Sequence, residues 1–391
     1  MRKLVKAKGI FDGKEDRLLY NRIMLVEDGL ISSIGYEEDF GCLCDEIEMI
    51  DLSDYYIIPG LIDCHTHLSI VPQQGNQVEQ MKLPAPQNIL RSISHMKEDF
   101  KSGVTTMRIM GEENYIDIEI KKAIKEKLIN GPRILAAGKG IVATNGHGVA
   151  LTVADGPEEV RKLARENLYK GADHLKIFVT GGISTLGNSL NNATYSIDEI
   201  KMAVEEAERV GTYVAAHAHG GIGIDLCIEG GVRSIEHAAL ITEEQIEKVI
   251  KADAWITITS TILFDEKGVE AKDTVNEDIN KKLVTGRKLA KDNWRKVVLS
   301  GANYVVGTDS MHGMIADEIK FLTSLGVPNI DAIKAATSKA AKACNFDKVG
   351  VLEPGMFADF LALEGNPLED IDVLKKIKYI YISGELVEEY I

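Results

Sequence analysis

The chain has 391 residues, 45% of them hydrophobic and 27% charged, with a formal net charge of -15. That length allows one large domain with a sizeable core plus a small satellite, and no apolar run approaches the roughly 20 residues that span a bilayer. The acidic balance argues against a nucleic-acid groove, which needs clustered Lys and Arg to release counterions, and leaves small molecules rather than nucleic acid or membrane as partners.

The N-terminal stretch from Met1 to Lys8 is basic but leads into Gly9, Asp12 and Gly13 instead of an apolar segment with a cleavage site, so a cytoplasmic location is expected. Residues 1–57 alternate short apolar stretches with Asp-Gly signals at Asp12-Gly13 and Asp28-Gly29, the pattern of short strands joined by turns. Cys42-Leu43-Cys44 carries metal-binding residue types, although isolated loop thiols more often bind nothing. With the remaining cysteines at 64, 227 and 344 forming no C-x-x-C pair, all five read as reduced thiols.

From Ile57 onward, short apolar runs alternate with longer charged segments of helical period, which predicts βαβ units and a parallel sheet. Eight strands are predicted: Leu61 to His67, Thr105 to Gly111, Arg133 to Lys139, His174 to Thr180, Tyr213 to His219, Arg233 to His237, Trp255 to Ser260 and Tyr304 to Asp309. Eight is the number that closes a TIM-like (β/α)8 barrel. Ser196-x-x-Glu199 and Thr242-x-x-Gln245 fit capping boxes that open helices. Gly103, Gly171, Gly211, Gly231 and Gly301 fall where a left-handed helix end is wanted before the next strand. After Cys344 strands return at Ala358 to Leu363 and Ile377 to Ile382. The organisation read from this is an α/β barrel over 58–344 with a small β-sandwich-like domain composed of 1–57 and 345–391, chain termini commonly lying close together.

His65-Thr66-His67 ends the first predicted barrel strand. Residues i and i+2 of a strand share a face, so both imidazoles can aim into the barrel mouth and share one metal ion. Lys176, His217, His237 and Asp309 sit at or near the C-terminal ends of later strands, where TIM-barrel enzymes place their active sites. A lysine facing dications should lose its proton, and the neutral amine could take up carbon dioxide to become an anionic carbamate able to bridge two metals. His219 follows His217 by two and faces the same way, so either is a candidate ligand.

The stretches Pro59 to His67, Lys176 to Gly182, Val214 to Gly220, Ser234 to His237 and Gly307 to Asp309 resemble the amidohydrolase superfamily. More narrowly they look like its metal-dependent prolidase and Xaa-Pro dipeptidase branch, which is similar to imidazolonepropionase; the likeness spans nearly the whole chain, including a Gly355-Met356-Phe357-Ala358-Asp359 turn. The resemblance implies a binuclear enzyme holding two divalent metal ions, with zinc the natural candidate. His65, His67, carboxylated Lys176 and Asp309 would hold one ion, and Lys176, His217 and His237 the other. It implies that His147 and Tyr195 meet the substrate carboxylate, with His217 rather than His219 as ligand and His219 contacting substrate or supporting the site. A homo-oligomer is also implied.

On this reading a metal-bridging hydroxide attacks the amide carbonyl and Asp309 carries its proton to the departing nitrogen. The substrate would be a small carboxylate-bearing amide such as an Xaa-Pro dipeptide or an N-acyl amino acid. Hydrolysis of a cyclic amide, as by imidazolonepropionase, or deamination of a heterocycle is the alternative within enzymes, and a noncatalytic barrel with eroded ligands the alternative outside them. His312, on the loop after the eighth strand, is a candidate pocket residue. His174 is expected to be a hydrogen-bonded interior residue and His95 to be structural or exposed.

Overall fold

The computed structural model describes residues 2–43, 47–271 and 276–387. The chain begins with β1 (Arg2–Ile10), β2 (Ile23–Glu27), β3 (Leu30–Gly35) and β4 (Glu48–Pro59). It ends with β13 (Phe360–Leu363), β14 (Ile377–Ile382) and β15 (Glu385–Leu386), and these seven strands form one mixed sheet in the order β15-β14-β13-β4-β1-β2-β3. Alternation along β1 and β2 sends Val5, Met24 and Val26 to one face, against Ile57 and Phe360, and Leu4, Ile23 and Leu25 to the other, against Phe40. Strand β4 runs through residue 57 to Pro59, so the expected boundary falls inside a strand. It is Gly60 that separates it from the next one.

Between these ends lie eight parallel strands at the eight expected positions: β5 (Leu61–Thr66), β6 (Val104–Ile109), β7 (Arg133–Leu135), β8 (Leu175–Phe178), β9 (Val214–Ala218), β10 (Ser234–His237), β11 (Trp255–Ile258) and β12 (Asn303–Val306). They pair in sequence order as a three-stranded sheet, β5 to β7, and a five-stranded sheet, β8 to β12. Nearly every residue in them is buried, as expected of parallel strands covered on both faces. β7 stops at Leu135 instead of reaching Lys139 because side chains take its backbone donors: Asp117 accepts the amides of Ala137 and Gly138, and Asn167 that of Lys139.

Hydrogen bonds also join the edges of the two sheets. The Ile141 amide donates to the Lys176 carbonyl at 2.8 Å and the Phe178 amide to the Ile141 carbonyl at 2.9 Å. Beyond β12 the Asp309 amide donates to the His65 carbonyl at 2.7 Å, while the Asp63 carboxylate accepts the Thr308 amide and hydroxyl at 3.1 and 2.6 Å. A Cβ on Gly307 would lie 2.5 Å from the His65 backbone, so only glycine lets the chain pass this close.

Helices follow the strands, and both capping boxes form as read: Ser196 with Glu199, and Thr242 with Gln245. The glycines at 103, 171, 211, 231 and 301 all have positive φ. Cys64, Cys227 and Cys344 are buried free thiols, whereas the side chains of Cys42 and Cys44 lie outside the described residues. No helix among the described residues is long and apolar enough to cross a membrane.

The loop after β12 is tied down by a buried ion pair. His312 Nδ1 lies 2.7 Å from Asp99 Oδ2 on the helix Ala85–Lys101, and His312 Nε2 lies 2.9 Å from the Ile70 carbonyl. His95 stacks on His312 at 4.7 Å and bonds the Leu68 carbonyl. Burial works against the charged His312 ring, but Asp99 outweighs it and the pKa is raised above 6.5. A raised folded-state pKa contributes stability that is fully present below the unfolded value and lost as pH rises through the folded one. Thermal unfolding of His312→Asn should therefore show a loss of about 2–4 kcal/mol near about pH 6 that shrinks toward about pH 9. A penalty that does not change with pH would contradict the ion pair.

Candidate metal centre

Six of the expected ligand side chains meet at the C-terminal ends of the parallel strands. His65 and His67, two residues apart at the end of β5, place their ring centroids 5.7 Å apart. Asp309 Oδ1 lies 3.3 Å from His65 Nε2 and 3.9 Å from His67 Nε2, and Oδ2 lies 3.9 Å from His237 Nδ1. One ligand atom each from His65, His237 and Asp309 fall within 4.8 Å of one another. Next to them the His217 ring is 4.7 Å from that of His237, and the His219 ring stacks on His237 at 4.9 Å. Lys176 projects from β8 fully buried, and its Nζ has no hydrogen-bond partner among the described residues.

The electrostatics favour a cation. Burial holds His67 and His219 near a pKa of about 4 and pushes His217 and His237 well below 6.5, so these imidazoles are neutral and keep a lone pair. Burial pushes Asp309 up, but His65 and His67 outweigh it and keep the carboxylate ionised with a pKa of about 2. Burial also lowers Lys176 to about 8, which brings its neutral amine within reach near physiological pH. Neutral imidazoles, an ionised carboxylate and an unpartnered amine together form a donor set suited to divalent metal.

Backbone and side-chain contacts aim these groups. His67 Nδ1 is 2.9 Å from the Gly111 carbonyl, which turns Nε2 toward Asp309. His237 Nδ1 is 2.8 Å from Thr259 Oγ1, and His217 Nε2 is 3.3 Å from the Gly181 carbonyl. Two of the candidate ligands sit on strained backbone: His237 has φ 73° and Asp309 φ 50°, each followed by a second non-glycine residue at positive φ. Such conformations cost on the order of 1–3 kcal/mol each and persist where neighbours over-determine them. Here Trp294 Nε1 donates to the His237 carbonyl at 2.7 Å, and the Asp309 amide is held by the His65 carbonyl.

A charged layer beneath the cluster escaped the reading of the sequence. Arg108 and Glu236 are fully buried and paired at 2.9 Å, and Glu236 Oε2 lies 2.8 Å from His65 Nδ1. Burial pushes Glu236 up, but Arg108 and His65 hold it well below the usual range, so it stays an acceptor and fixes the proton on His65 Nδ1. A signal was present: Ser234 and Glu236, at i and i+2 of a strand whose surroundings are apolar, point a carboxylate into the interior.

Over the cluster opens a cavity enclosing about 950 Å³, part of it open to solvent. His65, His67, His217, His219, His237 and Asp309 line it, as does His147, whose Nδ1 bonds Thr185 Oγ1 at 2.6 Å. A Cβ on Gly182 would meet the His147 ring at 2.4 Å, so glycine there makes room for the ring. Two expected contacts are not brought to the cavity. Tyr195 is buried with its hydroxyl donating to the Ala154 carbonyl at 2.7 Å, and both ring nitrogens of His312 are taken by Asp99 and Ile70. His174 is interior as expected but not hydrogen-bonded: neither ring nitrogen has a partner among the described residues, and the ring stacks on Tyr213 at 5.5 Å.

Parallel strands that gather imidazoles and a carboxylate at their C-terminal ends, over a buried lysine, form an arrangement of the kind metal-assisted hydrolases use. The model of the amidohydrolase family matches residues 56–387, and the chain belongs to that family and is a hydrolase acting on carbon–nitrogen bonds. It is 28% identical to ochratoxinase of Aspergillus niger over 94% of this chain and 83% of the relative. To imidazolonepropionase of Picrophilus torridus it is 22% identical, over 94% and 90% of the two chains. Among solved structures it resembles a Xaa-Pro dipeptidase with bound methionine in the active site, at 30% identity and a TM-score of 0.89 with 100% of both chains covered.

Glu236→Gln removes the charge that pairs Arg108 and orders His65. Such a change should cost about 3–5 kcal/mol of stability and weaken zinc binding about 10–100-fold. The two effects separate by unfolding the chelated protein and by titrating zinc against a competing chelator. An unchanged zinc affinity would remove the positioning role.

Proposed function

We propose that the eight parallel strands close into one (β/α)8 barrel, flanked by the seven-stranded sheet, and that its mouth carries a binuclear amidohydrolase site for a small amide. The observation that carries this reading is Lys176: a fully buried amine, over the Phe178 ring and with no hydrogen-bond partner among the described residues, whose charge is felt by His67, His217, His237 and the ionised Asp309. A buried unpartnered polar group is costly. The neutral amine could form a nitrogen–carbon bond to carbon dioxide and release one proton, giving a carbamate anion whose two oxygens would be available as metal ligands. His65, His67 and Asp309 would hold one ion, and His217 and His237 the other. Bound there, the two divalent ions would acidify the attacking water and polarise the scissile carbonyl.

The protein's own groups do the rest. Asp309 accepts the proton of the attacking water and delivers it to the amide nitrogen, which must be protonated to leave. Glu236 keeps His65 in one tautomer through the cycle. His147 and His219, both lining the cavity, act as neutral donors to the carboxylate of an Xaa-Pro dipeptide or N-acyl amino acid. The likeness to a Xaa-Pro dipeptidase and to ochratoxinase supports this side of the family. The likeness to imidazolonepropionase keeps cyclic-amide hydrolysis as the second reading.

Elemental analysis of the purified protein, paired with amine and ammonia release from dipeptides, N-acyl amino acids and cyclic amides, tests the proposal. The expected result is about two metal ions per chain with release from a carboxylate-bearing amide. Lys176→Met should lose one ion and about a hundredfold or more of kcat/KM, as expected when a transition-state contact is removed. One ion or none after reconstitution with bicarbonate would move the assignment to mononuclear, ring-opening chemistry.

A further inference from the structure

We infer that the enzyme selects N-acyl amino acids with a bulky, apolar acyl group, seated on a wall formed by Ile70, Val78 and Met81 on one side and Ile262, Leu263 and Val269 on the other. The inference rests on the amidohydrolase reading above and names its substrate class. All six side chains line the cavity. They come from two segments, the stretch that follows β5 and the stretch that follows β11, and the short helical turns Pro72–Gln74 and Val269–Ala271 pack on each other.

The wall is built, not incidental. Gln80 braces the first segment from behind: its Oε1 accepts the Val71 amide at 2.9 Å and its Nε2 donates to the Val71 and Gly75 carbonyls at 3.1 and 2.7 Å. The buried Glu318 carboxylate braces the second by accepting the amides and hydroxyls of Ser260 and Thr261. The nearby cations serve the same end. Arg91 Nη2 donates to the Ser69 carbonyl at 3.4 Å and to Gln80 at 2.7 Å, and Arg287 Nε donates to the Leu263 carbonyl at 2.6 Å. Both guanidinium groups fasten the backbone of the wall, and neither lines the cavity.

No Lys or Arg lines the cavity among the described residues. Apart from Asp309, the lining acid is Glu113, and its oxygens are taken by the Leu151 and Thr152 amides and the Thr152 hydroxyl. Among the described lining residues a substrate carboxylate meets the neutral donors His147 and His219, which give orientation but less attraction than a guanidinium fork. Affinity must then come mainly from apolar burial. The direction follows from strand order. His147 follows β7, the third parallel strand, while the wall follows the first and the seventh. His219, the second proposed donor, follows β9, the fifth; in a closed eight-stranded barrel the pair His147 and His219 lies across the mouth from the first and seventh strands, so an amino acid whose carboxylate meets both directs its acyl group to the wall.

The test uses the metal-loaded enzyme with N-acetyl-, N-butyryl-, N-hexanoyl- and N-octanoyl-L-alanine, followed by release of alanine. kcat/KM should rise about threefold to fourfold per added methylene until the wall is covered. Replacing the substrate carboxylate by a primary amide should cost less than about tenfold, since no full ion pair is lost. Val78→Thr, close in volume but carrying a hydroxyl, should lower the octanoyl-to-acetyl ratio of kcat/KM about fivefold or more. Turnover that is flat or falls with chain length, or an unaltered ratio in Val78→Thr, would overturn the apolar selection while leaving the amidohydrolase reading standing. A carboxamide penalty of a hundredfold or more would show a cation clamp and overturn it as well. No alanine release from any member would overturn both.

Discussion

The buried pair of Arg108 and Glu236 is the interaction on which the site depends. Two charges removed from water carry a penalty of several kcal/mol each, offset only where geometry is good and the remaining donors are filled. Here one guanidinium on β6 uses Nε and Nη2 to reach the Cys64 carbonyl on β5, Ser234 and Glu236 on β10, and Thr257 on β11, all within 3.3 Å, while Nη1 has no hydrogen-bond partner among the described residues. A single side chain thus links four strands through the interior, at the level just below the candidate ligands. The carboxylate it neutralises is the one that orders His65. A hydrophobic filler of the same volume could match the stability, but it would leave the imidazole free to rotate and to change tautomer, and ligand geometry would be lost first.

From that floor the order propagates upward. His65 Nε2 faces Asp309, whose amide is in turn held by the His65 carbonyl, so the two groups fix each other across the junction of β5 and the end of β12. The left-handed backbone at Asp309 and His237 is tolerable only because this network, with Trp294 on the His237 carbonyl, leaves no relaxed alternative. Strain of this kind would suit the proposed metal site. Ligands that cannot swing out keep their spacing when charge moves during the reaction, and no reorganisation is required at that moment.

Much of this was legible in the sequence, because the signals were local. Eight apolar runs with helical segments between them gave the eight parallel strands, and the i, i+2 spacing of His65 and His67 gave two rings on one face. Ser196 and Thr242 marked helix starts through residues only three positions away. What was not legible depended on distant contacts. Arg108 and Glu236 are 128 residues apart and meet only when the strands have assembled. Tyr195 and His312 were placed at the substrate by resemblance and by loop position. Their actual partners, the Ala154 carbonyl and the pair of Asp99 and Ile70, are set by tertiary packing that neither signal encodes. The premature end of β7 has the same origin, since a carboxylate on a neighbouring helix competes with the sheet for its amides.

Lys176 and the apolar wall residues are under different physical constraints. Its stem is packed among strand residues with nowhere to snorkel, so its nitrogen must find a partner where it stands or leave a polar atom unsatisfied. That constraint is identical for any substrate. The wall residues face no such requirement: an apolar side chain can be exchanged for another at a small cost, provided the braces behind it, Gln80 and Glu318, are kept. In this chain the segments after β5 and β11 present apolar side chains to the cavity and are held by the hydrogen bonds of Gln80 and Glu318, neither of which lines it.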